Sequence, residues 1–135
     1  MMRQMDNKIH YLNTDLDVTS DIDLTDLAAA LEASGVFALH VTPDGNGTWY
    51  AIFETDESHE EPDSNIASLL AAIESLSPAL RDVWHGCSQK EFNIGYDCGA
   101  EPWAFNQGLS SAVLGRMAAV GATLRITLYP DRPPK

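Results

Sequence analysis

The stretch Phe37-Ala38-Leu39-His40-Val41-Thr42-Pro43-Asp44-Gly45-Asn46-Gly47-Thr48-Trp49-Tyr50-Ala51-Ile52-Phe53-Glu54 decides the fold class. Phe37, Leu39 and Val41 alternate with Ala38, His40 and Thr42, the period-two pattern of a half-buried strand. Pro43-Asp44-Gly45-Asn46-Gly47 is a turn, and Trp49 to Glu54 is the returning strand. Two strands joined by so short a turn must be antiparallel neighbours.

Helices are expected on both sides of this hairpin. Upstream, Leu24, Leu27, Ala28 and Leu31 share one helical face, with Asp23 as N-cap, Asp26 three residues on, and Gly35 at the C-terminal end. Before that helix, Ile9 to about Leu16 reads as a first strand. Downstream, the acidic run Glu54 to Asp63 reads as an exposed loop. Asp63 or Ser64 then caps a helix carrying Ile66, Leu69, Leu70 and Ile73. Pro78 to Trp84 forms a short turn or helix. Phe92, Ile94 and Tyr96 alternate with Glu91, Asn93, Gly95 and Asp97, another half-buried strand. A polar and aromatic loop, Gly99 to Gly108, leads to a helix from Ser110 to Val120 that Gly121 ends. Leu124, Ile126 and Leu128 alternate with Arg125, Thr127 and Tyr129 in a last, one-sided strand.

The order is β-α-β-β-α-β, then α-β. Its first six elements are those of the ferredoxin-like split βαβ unit. We therefore expect an α+β sandwich with a mixed or antiparallel sheet and helices on one face. The other face meets water or a partner. Residues 9–129 form the single domain, 1–8 a disordered N-terminal segment and 130–135 a Pro-rich tail.

Charge narrows the partners. The chain has 135 residues, 20 acids and 8 Lys/Arg, for a net charge of −12. Residues 1–75 hold 15 acids against Arg3 and Lys8, or −13, while residues 76–135 hold 5 acids against 6 bases, or +1. Such a field repels phosphate backbones, so nucleic acid is not an expected partner. It attracts basic proteins to the N-terminal half, or simply keeps the chain soluble. No apolar run approaches the length that crosses a bilayer, and the first residues lack a secretory core. A cytoplasmic protein with Cys87 and Cys98 as thiols is expected, although the count alone also permits one bridge.

The most distinctive segment is Tyr96 to Gln107, where a strand leads into a helix and α/β folds often hold ligands. Asp97, Glu101, Trp103, Asn106 and Gln107 are its candidate binding residues, with Arg125 and Tyr129 from the neighbouring strand. Alternatively, Trp103 and Phe105 plug the end of the core, and Asn106 and Gln107 bond the loop's own backbone. The open sheet face is expected to show Asn93, Asp97, Arg125, Thr127 and Tyr129. His85, Cys87 and Cys98 are weak candidates for a metal, because a C-x10-C spacing matches no familiar zinc site. A cysteine nucleophile with His85 or His40 as its base has no local motif either. Asp15, Asp17, Thr19, Asp21, Asp23 and Asp26 repeat the spacing of an EF-hand calcium loop. However, Ser20 stands where that loop needs Gly, and Asp26 replaces the bidentate Glu. Ser110-Ser111 reads as an N-cap rather than a nucleophile. No phosphate-binding glycine motif is present, so no cofactor is expected.

From Phe92-Asn93-Ile94-Gly95-Tyr96 through Trp103 to Gly121–Tyr129, the C-terminal half resembles a group of uncharacterised conserved bacterial proteins. The resemblance implies a bacterial source and brings no catalytic residues with it. Some acidic bacterial domains of this size are immunity proteins that block toxins, but no motif here marks one.

Two functions compete. The first is a non-enzymatic binding protein with a basic protein partner, immunity-like or regulator-like. The second is a small enzyme or ligand-binding domain at the Asp97–Gln107 loop, with Asp97 or Glu101 as acid or base and His85 as its partner. The open sheet also permits a homodimer.

Overall fold

Period-two burial runs along the first strand, β1 (His10–Ser20), where Thr14, Leu16, Val18 and Ser20 point inward between exposed or half-exposed neighbours. A computed structural model describes residues 7–130 of the chain. After β1 come α1 (Thr25–Glu32), β2 (Val36–Pro43), β3 (Trp49–Thr55), α2 (Pro62–Glu74), α3 (Pro78–Gly86), β4 (Gln89–Asp97), α4 (Ser111–Ala119) and β5 (Thr123–Tyr129). The expected α+β class is observed. The sheet is mixed, in the order β2-β3-β1-β4-β5. Only the β4–β5 pair is parallel, because α4 carries the chain across between them. The first strand extends four residues beyond Leu16: Asp17 and Thr19 sit on its outer side while Val18 and Ser20 continue the core.

The turn at residues 43–47 closes as its composition dictates. Asp44 accepts hydrogen bonds from the backbone N–H groups of Asn46 (2.7 Å) and Thr48 (3.2 Å). Gly45 and Gly47 both take φ of +87°, where a side chain would be strained.

Leu16, Val18, Phe53, Phe92 and Ile94 from the sheet join Leu27, Leu31, Ile66, Leu69, Leu70, Ile73, Trp84, Val113 and Met117 from the four helices in one core. The helices therefore share one face of the sheet. Trp84, fully buried, donates its indole N–H to the Val120 carbonyl (2.9 Å) and locks α3 to the end of α4. Ser77 and Ser110 cap α3 and α4 by accepting from Leu80 and Val113.

Three expectations need correction. Neither Asp63 nor Ser64 caps α2: the cap position is Glu61, with Pro62 opening the helix. The Asp63 carboxylate instead accepts from the Ser110 N–H (2.7 Å) and ties α2 to the start of α4. In β2 the apolar side is not Phe37 and Leu39, which are exposed. A register shift between Ala38 and His40 turns Val36 inward and Phe37 outward. Finally, the one-sided strand β5 is bare on its apolar side, with Leu124, Ile126 and Leu128 exposed by 42%, 59% and 61%. The cause lies in α4. Besides the Asp63 link, Arg116 forks onto both Glu74 oxygens (2.9 and 2.8 Å) and donates to the Ala67 carbonyl. Fastened to α2 at both ends, α4 does not roll over β5.

Residues 1–6 and 131–135, and with them most of the expected N-terminal segment and tail, lie outside the described residues. Asn7 and Lys8, read with that segment, run along residues 99–101: the Asn7 carbonyl accepts from Ala100 (2.9 Å), and Lys8 bridges to Glu101. An added Cβ at Gly99 would collide with the Asn7 carbonyl, so this crossing requires glycine.

Candidate functional site

The strands hold five carboxylates, Asp15, Asp17, Glu54, Glu91 and Asp97. Alternation places all five on the face away from the helices, because their chain neighbours Leu16, Val18, Phe53, Phe92 and Tyr96 belong to the core or pack against it. Arg125 of β5 is the one strand Lys or Arg on that face; Lys90 turns the other way, over the Trp84 ring. Register brings the acids together. Asp17 lies directly across from Glu91. Glu54 stands one step past the Leu16–Phe53 pair, across from Asp15. The Asn13 amide bridges these two, donating to Asp15 (3.0 Å) and Glu54 (2.9 Å). Arg125 donates to Glu91 (2.6 Å), and Thr127 to Asn93 (2.7 Å).

Like charges opposite one another on a sheet are unfavourable. Burial, then Glu54 and Asp17, push the Asp15 carboxyl up to about 6. Burial and the facing Glu91 raise Asp17 as well, and Arg125 offsets only part of that. The sign for stability follows. An unfolded Asp titrates near ~3.9, so the folded state holds more protons between that value and the folded one, and stability falls as pH rises through the window. A shift of this size would amount to about 3 kcal/mol in a dry site; Asp15 is only partly buried, and solvent screening reduces it to about 1 kcal/mol. Asp15→Asn keeps an acceptor for Asn13 and removes the charge. We expect it to raise the melting temperature by about 3 °C at pH 7 and to leave it unchanged near pH 4. A melt in which the variant is less stable at pH 7, or gains equally at both pH values, contradicts the strained-carboxylate reading.

The expected loop site divides in two. Asp97 ends β4 on the open face, between His10 of β1 and Tyr129 of β5. Arg125 and Tyr129 share that face, as expected. Tyr96 points the other way: it meets Phe105 edge-on at 5.6 Å and donates its hydroxyl to Gln107 (2.9 Å). The side chains of Asp97 and Gln107 are thus on opposite sides of the sheet and do not form one pocket. Trp103 does not plug the core; it is 99% exposed. Asn106 and Glu101 are exposed too, and the Glu101 carbonyl accepts from the Ile9 N–H (2.8 Å). What the loop does shape is a shallow groove of about 300 Å³ beside β5, lined by Ile9, Tyr96, Cys98, Phe105, Ile126 and Leu128. It is mostly apolar.

His85 and Cys87 lie at the opposite end of β4 from Asp97 and Cys98. At ~3.3 Å per residue the two ends are on the order of 25 Å apart. That separation rules out a shared metal, a Cys87–Cys98 bridge and a His85–Asp97 acid–base pair. Both cysteines are thiols. Cys87 is buried, burial raises its pKa, and its thiol donates to the Val83 carbonyl (3.3 Å), so its neutral thiol form is favoured. The EF-hand spacing also dissolves in three dimensions. Asp15, Asp17 and Thr19 lie along an extended strand, whereas a calcium loop must wrap its ligands around the ion. Among the described residues no three His, Cys, Asp or Glu side chains are arranged to hold a metal ion. No helix among them is long and apolar enough to cross a membrane.

Sequence reasoning missed two members of the site. Asn13, the bridge between acids, carries no signal in a strand that also contains Asp and Thr. Glu54 reads as the start of the acidic loop, but the register places it in the sheet. With this geometry in hand, comparison with known proteins adds nothing: no family model, no curated protein and no solved structure matches the chain.

Proposed function

We propose that this chain is a non-enzymatic binding protein whose open sheet face receives a basic protein partner. The observation that carries the reading is the gathering of Asp15, Asp17, Glu54 and Glu91 on one face, where Arg125 is the one strand guanidinium among the described residues. Left alone, this arrangement costs stability. Lysine and arginine side chains from a partner would neutralise it and gain charge-assisted hydrogen bonds. Complementary charge of this kind speeds encounter and rejects acidic competitors. An immunity-like or regulator-like role in the cytoplasm suits such a surface.

The test uses a fluorescent nona-arginine peptide as the probe. Anisotropy titrations at low and moderate salt compare the wild type with Asp15→Asn/Asp17→Asn/Glu54→Gln. A second variant, Glu57→Gln/Glu60→Gln/Glu61→Gln, changes net charge equally but in the loop before α2. We expect at least tenfold weaker binding for the sheet-face variant and less than a twofold change for the loop variant, with salt weakening the wild type. Equal losses in both variants would mean that only net charge attracts the peptide, and the proposal would fall.

A further inference from the structure

We infer that β5 is a self-pairing edge and that two copies of this chain join there into one continuous ten-stranded sheet. The surface is distinct from the acidic face. The outer edge of β5 has no strand beside it among the described residues. The Cys98 N–H donates to the Tyr129 carbonyl (2.9 Å), so the backbone groups of Tyr129 point toward β4. Because these directions alternate along a strand, Arg125 and Thr127 also turn toward β4, and Leu124, Ile126 and Leu128 direct their N–H and C=O groups outward. The same three residues carry the exposed apolar side chains. Backbone donors, acceptors and apolar surface therefore coincide on one edge, the combination that templates strand pairing.

The occupant is a second copy because the strand is its own complement. Leu124-Arg125-Ile126-Thr127-Leu128 has the same apolar pattern read in either direction. A two-fold axis through Ile126, perpendicular to the sheet, pairs Ile126 with itself and Leu124 with Leu128 of the partner. Each of these is a hydrogen-bonded pair exchanging two N–H···O contacts. On the open side, Arg125 meets Thr127 and no like charges face each other. Charge agrees with this choice. β5 itself carries no Asp or Glu and belongs to the nearly neutral residues 76–135, while Asp15, Asp17 and Glu54 stand on β1 and β3, farther from the axis.

Sedimentation velocity on the full chain at micromolar concentration gives the first readout, with a dimer expected. Ile126→Lys places two ammonium groups face to face on the axis and should return the species to a monomer. The position is largely exposed in one copy, so the fold should tolerate it. Amide hydrogen exchange on the wild type gives a second readout that needs no variant. In the dimer, Leu124, Ile126 and Leu128 are protected as well as Arg125 and Thr127; in a lone chain the two sets alternate between fast and slow. A monomeric wild type overturns the inference and leaves the edge to a strand of another protein. A dimer that survives Ile126→Lys, or that leaves the Ile126 amide in fast exchange, overturns it equally.

Discussion

Trp84→Ala is expected to lower stability by about 4 kcal/mol, the cost of deleting a large aromatic from a closed core. Trp84 is fully buried on α3, beneath Lys90, whose ammonium lies 5.9 Å from the ring centroid. Its indole N–H satisfies the Val120 carbonyl where α4 ends. The variant therefore leaves both a void and a carbonyl that has lost its donor. Trp84→Phe separates these contributions. It restores most of the volume and still lacks the donor, so a loss of about 1.5 kcal/mol is expected. Urea unfolding followed by far-ultraviolet circular dichroism makes the comparison without depending on tryptophan emission. With a slope of about 2 kcal/mol/M, the Ala variant should unfold about 2 M earlier. Domains of this size have only ~5–15 kcal/mol to lose, so the shift is a large fraction of the whole. A loss below about 1 kcal/mol for Trp84→Ala would show that α3 is not part of the cooperative core.

The element order was legible because each element carries its own period. The hairpin at residues 37–54, the helix stripes and the alternation of β4 and β5 all survive in the structure. Sidedness was legible in β4 and β5, where Asn93, Asp97, Arg125, Thr127 and Tyr129 do share the open face, but not in β2, where the register shift turns Phe37 outward. Coverage was not. Alternation says that Leu124, Ile126 and Leu128 face one way, but whether a helix lies over them depends on Arg116 finding Glu74 and Asp63 finding Ser110. Those contacts are 42 and 47 residues apart in the chain and have no local signature. The acidic face was hidden for a related reason. Asp15 and Asp17 repeat the spacing of a calcium loop in one dimension, and only the pairing of β1 with β3 and β4 brings Glu54 and Glu91 beside them. Function was less legible still, because a surface built from register leaves no motif.

The second large effect is expected at Asn65, the polar residue that interrupts the apolar stripe of α2. It is 2% exposed, between Ser64 and Ile66. Its carbonyl oxygen accepts from the Thr14 backbone N–H (3.0 Å) and the Tyr11 hydroxyl (2.6 Å), and its amide donates to Thr55 (3.1 Å). One side chain thus serves β1, β3 and α2 where β1 shifts register between Tyr11 and Asn13. Burial also pushes the Tyr11 phenol up to about 12, so it stays a neutral donor throughout the working pH range. Asn65→Leu fits an apolar environment by volume but leaves the buried Thr14 N–H without its acceptor. We expect a loss of about 3 kcal/mol, read as an earlier urea midpoint. Asn65→Asp offers the same acceptor geometry and should retain more stability once the pH is low enough to protonate it. The consequence extends to the open face, since Asn13, which bridges Asp15 and Glu54, lies between Tyr11 and Thr14. Folded Asn65→Leu protein should therefore bind nona-arginine more weakly than wild type, even though no charge has changed. If its stability drops while its peptide affinity stays the same, the polar node holds the helix alone and does not shape the acidic face.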